Sequence, residues 1–443
     1  MKELSSKYVM VLCLLFAPLA LGHNLLPVIG PDPGYNVVTT ASGKIVALTG
    51  TGLEINTYIA NKISNAGAGD SIRIDMYIIE HAEDRTSFFY DALVEALGRG
   101  ASIEIVTEGK NLDIDQTVSE ARYRNTCEFL YGYPSTECSS YPGTSPGPSP
   151  TGIKYEPIGP GGSIDIYVCS RGCDSTVSTA INHNKVALLD ISGQRNIIVT
   201  SSNIRFGGAT DWQAGVDLDG DIYTSQWTWW NSVIDSDICF AQGGSNCEVG
   251  NGGYESNEED DIVSYLPGPT PNFNAPEEWL ANMQYEPGCS LRVMMGSWSN
   301  TEVGLGFLDG MARVAALGCD VNFIHGQVDN ADRVLSYVNG RFEAEYQAGV
   351  HAKIILWQGI YDGEHESFAW VGSWNTTRNA LRNNDENLVR IKTSLEFEAF
   401  WNFFYHVDGE FVIPDPGPDP QPEPETSCFP IKAKSAAVAV VCL

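Results

Sequence analysis

The sequence predicts an α/β protein of two similar lobes related by approximate two-fold symmetry. Three repeated features predict it. A strand–helix–glycine–strand series occurs twice. Each series is followed by His-x-Lys and a β-prone apolar run. Each of those runs is followed by an aromatic-rich helix. Such a long, diverged period describes an internal duplication, and a two-fold relation can bring the paired histidines to one interface.

The elements follow in order. Ser71 to Ile79 alternates as a strand does. Residues 83 to 99 are expected to be helical, with Asp91-Ala92-Leu93-Val94-Glu95-Ala96-Leu97 at the centre and Gly100 as C-cap. Ser102 to Val106 is the next strand, which makes a parallel βαβ unit. In the second half, Leu291 to Gly296 is a strand, residues 304 to 317 a helix ended by Gly318, and Val321 to Ile324 a strand. His183-Asn184-Lys185 precedes Val186 to Asp190 and Thr200-Ser201-Ser202-Asn203. His351-Ala352-Lys353 precedes Ile354 to Trp357, Gly372-Ser373-Trp374-Asn375 and Arg382 to Asn387. The aromatic helices hold Gln226 to Trp230 and Phe397 to Phe404.

The expected organisation is a signal peptide over residues 1–22, a first lobe over 23–265, a second lobe over 266–413 and a Pro-rich tail over 414–443. Lys2, Lys7, the apolar run Tyr8 to Leu21 and Ala20-Leu21-Gly22 carry the signal peptide. A Pro/Gly/Ser-rich insertion at about 139–162 enlarges the first lobe. Residues 243–274, with Glu258-Glu259-Asp260-Asp261 and Pro267-Gly268-Pro269, are expected to link the lobes. Of the 11 cysteines, Cys13 falls in the signal. The even remainder suits disulfides and an extracellular location, with Cys127/Cys138, Cys169/Cys173 and Cys239/Cys247 as local pairs. No second knuckle accompanies Cys169 and Cys173 to complete a zinc site.

The net charge is −30, and about −31 without residues 1–22, which hold Lys2, Lys7 and Glu3. An acidic surface repels nucleic acid and anionic membranes at long range. It still permits a local lysine pair to hold one anion within a Debye length of roughly 8–10 Å.

Residues two apart on a strand share a face, so His351 and Lys353 project together, as do His183 and Lys185. An imidazole beside a fixed ammonium suits a phosphate better than a metal, because the ammonium repels cations. His81, His325, His365 and His406 lie in no motif and are expected to be ordinary surface or core residues.

Two copies of His-x-Lys, each followed by Ser-x-Asn, resemble the phospholipase D superfamily. Its signature is His-x-Lys-x4-Asp and then Gly-Ser-x-Asn, present twice. The resemblance covers about Ser71 to Tyr405. It implies a phospholipase D fold, with two α/β/α lobes holding mixed sheets about a pseudo-two-fold axis. It also implies a secreted phosphodiesterase acting on a phospholipid head group through a phosphohistidine. By that resemblance His183 is the nucleophile and His351 the general acid/base, although near symmetry leaves these roles exchangeable. Lys185, Lys353, Asn203 and Asn375 would hold the nonbridging oxygens, with Ser201 and Ser373 supporting the pocket. Asp190 is the motif aspartate of the first copy; the second has Gln358. Thr200 stands where glycine is usual. Glu386, or Asp385, is expected to orient the histidine of the second copy. Gln213, Asp217 and Asp211 are the candidates for the first. No cofactor or metal is implied. The expected partner is a phospholipid or other phosphodiester, with transient membrane-surface contact, no stable nucleic-acid partner and a monomeric chain. A nuclease of the same superfamily acting on single strands, and a catalytically silent binding protein, are the competing functions. Asn375-Thr376-Thr377 is also a glycosylation sequon, which conflicts with a place in the pocket.

Overall fold

The computed structural model describes residues 44–79, 87–108, 162–169, 173, 181–204, 210–244, 247, 255–267, 275–327, 331–409, 428–432 and 438–442. The signal peptide, Cys127, Cys138, nearly all of the 139–162 insertion and residues 414–427 lie outside them.

In the first lobe β1 (Ile45–Thr51) runs into α1 (Gly52–Ile63). Thr51 starts the helix with a capping box: its hydroxyl accepts from the Glu54 amide, and the Glu54 carboxylate accepts from the Thr51 amide. Next come β2 (Ser71–Met76), α2 (Ser87–Gly98), β3 (Ser102–Glu108) and β4 (Ser163–Cys169). Then follow β5 (Lys185–Ile191), β6 (Gln194–Thr200), β7 (Trp212–Asp219) and α3 (Thr224–Ala241). The sheet order is β1-β7-β6-β5-β2-β3-β4. β2, β3 and β4 are parallel and the other pairs antiparallel. The expected βαβ unit is therefore present, and Gly100 ends it at φ 102°, a conformation that glycine adopts without strain.

The second lobe repeats this plan. It begins with β8 (Glu255–Glu259), β9 (Ile262–Leu266), α4 (Ala275–Asn282) and β10 (Met283–Gln284). β11 (Ser290–Met295), α5 (Glu302–Ala316), β12 (Asp320–His325), α6 (Ala331–Val338) and β13 (Glu343–Tyr346) follow. It closes with β14 (Lys353–Tyr361), β15 (Glu364–Gly372), α7 (Arg378–Arg382), β16 (Leu388–Ile391) and α8 (Ser394–Asp408). The order β13-β12-β11-β14-β15-β16-β9-β8 matches the first sheet strand for strand from β4 to β1, with β8 added at the edge. The register matches too: Met76 opposes Lys185, and Met295 opposes Lys353.

Residues 243–274 were expected to be a linker, and the structure corrects this. Residues 255–266 form the β8–β9 hairpin, and β9 pairs with β16. Ile262 to Leu266 are all buried, and that apolar run outweighs the polar composition around it. The tail holds a second hairpin, β17 (Cys428–Lys432) with β18 (Val438–Cys442), with Cys428 opposite Cys442.

The strands carrying the motifs are buried on both faces, which explains their unbroken apolar runs. Val186 and Leu188 face a core between the sheets, shared with Ile354, Leu356 and Phe400. Ala187 and Leu189 face α1 and α2. Ile355 and Trp357 face α4 and α5. Burying one such large side chain stabilises by roughly 1.5–3 kcal/mol relative to leaving it exposed, so the shared core binds the lobes firmly. The aromatic helices cross over. α8 packs on β1, and Trp230 of α3 donates its indole N–H to Ser264 Oγ on β9 at 3.1 Å. Disulfides join Cys169 to Cys173, Cys239 to Cys247 and Cys289 to Cys319. Among the described residues no helix is long and apolar enough to cross a membrane.

Candidate active site

β5 and β14 begin at Lys185 and Lys353, so each motif histidine sits just before its strand at the interface of the lobes. Two backbone bridges between lobes fix these histidines. Asn182 pairs with Asp385, and the His183 amide donates to the Asp385 carbonyl at 2.8 Å. Trp212 pairs with Val350, and the His351 amide donates to the Trp212 carbonyl at 3.0 Å.

The residue after each bridge reaches the ring of the other lobe. Glu386 Oε2 lies 2.7 Å from His183 Nδ1, and Gln213 Oε1 lies 3.1 Å from His351 Nδ1. Each orienting group is held by the motif serine of its own lobe. Ser373 Oγ donates to Glu386 at 2.6 Å, and Ser201 Oγ donates to Gln213 at 2.7 Å. The expected assignment is thus corrected: Glu386 orients the histidine of the first copy, not the second. Gln213 serves the second. Asp217 is engaged elsewhere, with Tyr58 at 2.6 Å and Lys62 at 3.0 Å. The pairing is crossed because the bridges join lobes, whereas sequence proximity suggests pairs within a lobe.

Lys185 and Lys353 are almost fully buried. Lys185 Nζ donates to the His183 carbonyl at 2.7 Å, and Lys353 Nζ donates to the His351 carbonyl. Lys353 Nζ also lies 2.9 Å and 3.2 Å from the two ring nitrogens of His351. Burying an ammonium costs several kcal/mol unless counter-charge or hydrogen bonds offset it. Glu386 is a carboxyl that both lysines act on. Burial pushes it up to about 8, against the lowering pull of Lys185, Ser373, Asn384 and Lys353.

The amide oxygens of Asn203 and Asn375 are buried with no hydrogen-bond partner among the described residues. Two unpaired amide oxygens at equivalent positions fit a pocket built for a polar guest. Thr376 is fully buried and donates to the Ser297 carbonyl at 3.1 Å, which places the sequon inside the fold.

Asp190 is not brought to this site. It lies at the far end of β5, opposite Ser71 and 3.6 Å from Arg195. Five residues of strand put it about 16 Å from Lys185. Gln358 lies at the equivalent place, opposite Ser290, so its difference from aspartate leaves the pocket unchanged. The missing glycine at Thr200 is also explained. Thr200 opposes Gly215, whereas Gly372 opposes Leu388. One glycine per pair gives the close strand approach, and it has changed strands between lobes.

Three features carried no motif signal. Tyr77 packs against His183 at 4.8 Å between centroids, the rings tilted by 59°, with Lys185 Nζ 5.3 Å from its ring. The equivalent second-lobe position, after Met295, is Gly296. Behind Lys185 lies a buried acidic pair: Asn182 Nδ2 donates to Asp75 at 2.6 Å, and Asn184 Nδ2 to Asp237 at 3.3 Å. Cys173, joined to Cys169, also reaches the interface, where its amide donates to Asp385 Oδ2 at 2.6 Å. The Gln213 and Glu386 roles did have a signal, for they follow their motif serines by 12 and 13 residues.

No protein-family model matches the chain, and no curated protein matches it. Solved structures do resemble it. A phosphatidylserine synthase from Haemophilus influenzae Rd KW20 aligns with TM-score 0.51 and 11% identity, over 86% of this chain and 89% of that one. A polyphosphate kinase from Porphyromonas gingivalis aligns with TM-score 0.48 and 12% identity, over 82% of this chain; the alignment spans half of the kinase. A phospholipase D family member, Nuc from Salmonella typhimurium, aligns at TM-score 0.25 over 31% of this chain, with 18% identity. The synthase alignment and the duplicated sheets agree on the two-lobed α/β phospholipase D fold.

Proposed function

We propose that the chain is a secreted phosphodiesterase of phospholipase D type that hydrolyses a phospholipid head group. The observation that carries this is the crossed pair of contacts, His183 to Glu386 and His351 to Gln213, which sets two imidazoles and two buried lysines at one interface. His183 Nε2 attacks phosphorus, and the P–O bond to the leaving alcohol breaks as His351 gives that oxygen a proton. Water then loses a proton to His351 and attacks phosphorus; the P–N bond breaks and the electron pair returns to His183. Lys185, Lys353, Asn203 and Asn375 hold the nonbridging oxygens, where charge builds up. An uncharged imidazole meets less repulsion from a phosphodiester than an anionic nucleophile does. The charge of −30 disfavours a long polyanion, and the disulfides suit an extracellular setting.

The test uses purified protein, phosphatidylcholine vesicles and a single-stranded oligonucleotide, with EDTA present. Choline release is expected, and it should vanish in His183→Ala and in His351→Ala. Nucleotide release alone would move the assignment to a nuclease. Absence of turnover on both would leave a silent binding protein.

A further inference from the structure

The hydrogen-bond chains that hold the two histidines run in parallel and differ in the group that meets the ring. In the second lobe the Asn387 amide donates to Ser373 Oγ at 2.9 Å, Ser373 donates to Glu386, and Glu386 meets His183 Nδ1. In the first lobe the Ala214 amide donates to Ser201 Oγ at 2.9 Å, Ser201 donates to Gln213 Oε1, and Gln213 Oε1 meets His351 Nδ1. Because Ser201 accepts from the Ala214 amide, its own proton goes to Gln213. The Gln213 atom that faces His351 Nδ1 is therefore the acceptor oxygen, at 3.1 Å, with Lys353 Nζ at 2.9 Å from the same nitrogen. Nδ1 of each ring thus faces an acceptor from the other lobe. Geometry is conserved between the halves, while charge is not: one acceptor is a carboxyl group and the other a neutral amide.

We infer that Gln213 is a positioning residue that breaks the symmetry of the site, fixing His351 as a carboxylate would while withholding the charge that stabilises an imidazolium. This rests on the phosphodiesterase assignment above. The groups around His351 favour the same outcome. Lys353, at 2.9 Å, opposes a second positive charge. Gln213, Ser201 and the Trp212 carbonyl are neutral. The carboxyl groups nearby belong to Glu386, which is hydrogen-bonded to His183, and Asp211, beside Gly349. His406 packs on the far partner of this interface, Trp212, and Lys185 and His183 lie across the pocket. His351 therefore yields its proton readily to a leaving alcohol. The positive phosphoimidazole forms where Glu386 can offset its charge. The asymmetry assigns the nucleophile and the acid by electrostatics.

The experiment compares wild type, Gln213→Glu and Gln213→Leu. The readouts are kcat and KM against pH on phosphatidylcholine vesicles, and a ¹⁵N-imidazole titration of His351 followed by NMR. Q213E is expected to move the alkaline limb of kcat, and the His351 midpoint, upward by about one pH unit, the size of change that a new opposite charge within 4–6 Å produces. Q213L is expected to lower kcat by about 10- to 100-fold with KM unchanged, as loss of an orienting partner does. An active, folded Q213E with an unmoved limb and an unmoved midpoint overturns the inference. If wild type shows no turnover on phosphodiesters, the functional assignment falls, and the NMR midpoint alone decides the role of Gln213. If Q213E does not fold, the KM-against-kcat split in Q213L decides it, and a change in KM alone counts against it.

Discussion

Glu386 and His183 are 203 residues apart in the chain and 2.7 Å apart in space, and the contact joins the two lobes. It makes the folding of the second lobe a condition for the chemistry of the first. Glu386→Gln keeps the shape but removes the carboxylate that, under the proposed mechanism, offsets a phosphoimidazolium. A kcat loss of roughly 10²- to 10⁴-fold is expected, the range in which a buried acid behind a catalytic histidine acts. The same variant bears on stability. Burial raises this carboxyl from 4.5 to about 8, so the folded state holds its proton more tightly than the unfolded chain. Stability linked to Glu386 is present below pH 4.5 and is lost as pH rises towards 8. Thermal melts over that window should fall more steeply for wild type than for E386Q; parallel curves would refute the linkage.

Much of this architecture was legible in the sequence. The βαβ units, both His-x-Lys strands and the aromatic helices leave periodic or repeated marks, because burial on one or two faces dictates residue type locally. The crossed assignment was not legible. It depends on the backbone bridges at Asp385 and Trp212, which no local pattern encodes. The β9 strand was hidden by its polar surroundings and shows itself only through pairing with β16. Asp190 misled because a motif position does not say which end of a strand faces the pocket.

The exchanged glycine predicts a local cost. A Cβ at Gly215 would lie 2.6 Å from the Val199 carbonyl and 2.9 Å from Thr200 Cβ; one at Gly372 would lie 2.3 Å from the Asn387 carbonyl. Gly215→Val and Gly372→Val should each destabilise by about 1–3 kcal/mol, the usual cost of overpacking. Thr200→Gly in the G215V background should recover part of the loss, since it removes one of the two clashes. Urea unfolding measures all three, and unchanged midpoints in the single variants would refute the account.

The acidic pair behind Lys185 predicts a pH-dependent stability of its own. Burial raises the Asp75 carboxyl above its ordinary value, while Asp237, Asn182, Asn184 and Lys185 pull it down. The fold therefore favours protonated Asp75. Its contribution is complete below the ordinary carboxylate range and is lost as pH rises through the raised value. Asp75→Asn mimics the protonated group. It should match wild type below the ordinary carboxylate range and be more stable than wild type at pH 8. Denaturant titrations at the two pH values test this; an equal difference at both would mean that Asp75 does not titrate with folding.

Tyr77 and Gly296 occupy equivalent positions, and they shape the two sides of the pocket differently. The ring of Tyr77 packs against His183 and Lys185, while Gly296 sets no side chain beside His351 and Lys353. A Cβ at Gly296 would sit 3.1 Å from His351 Cα and 3.2 Å from Lys353 Nζ. Under the proposed function, the bulkier substrate group enters on the Gly296 side. Gly296→Ala should lower kcat/KM by about tenfold, because misplacing a reacting group costs transition-state stabilisation even when the fold survives. Tyr77→Phe keeps the ring and should change kcat/KM less than threefold, on the order of 0.6 kcal/mol. The comparison separates the two sides. Equal losses in both variants would mean that the asymmetry has no part in placing substrate.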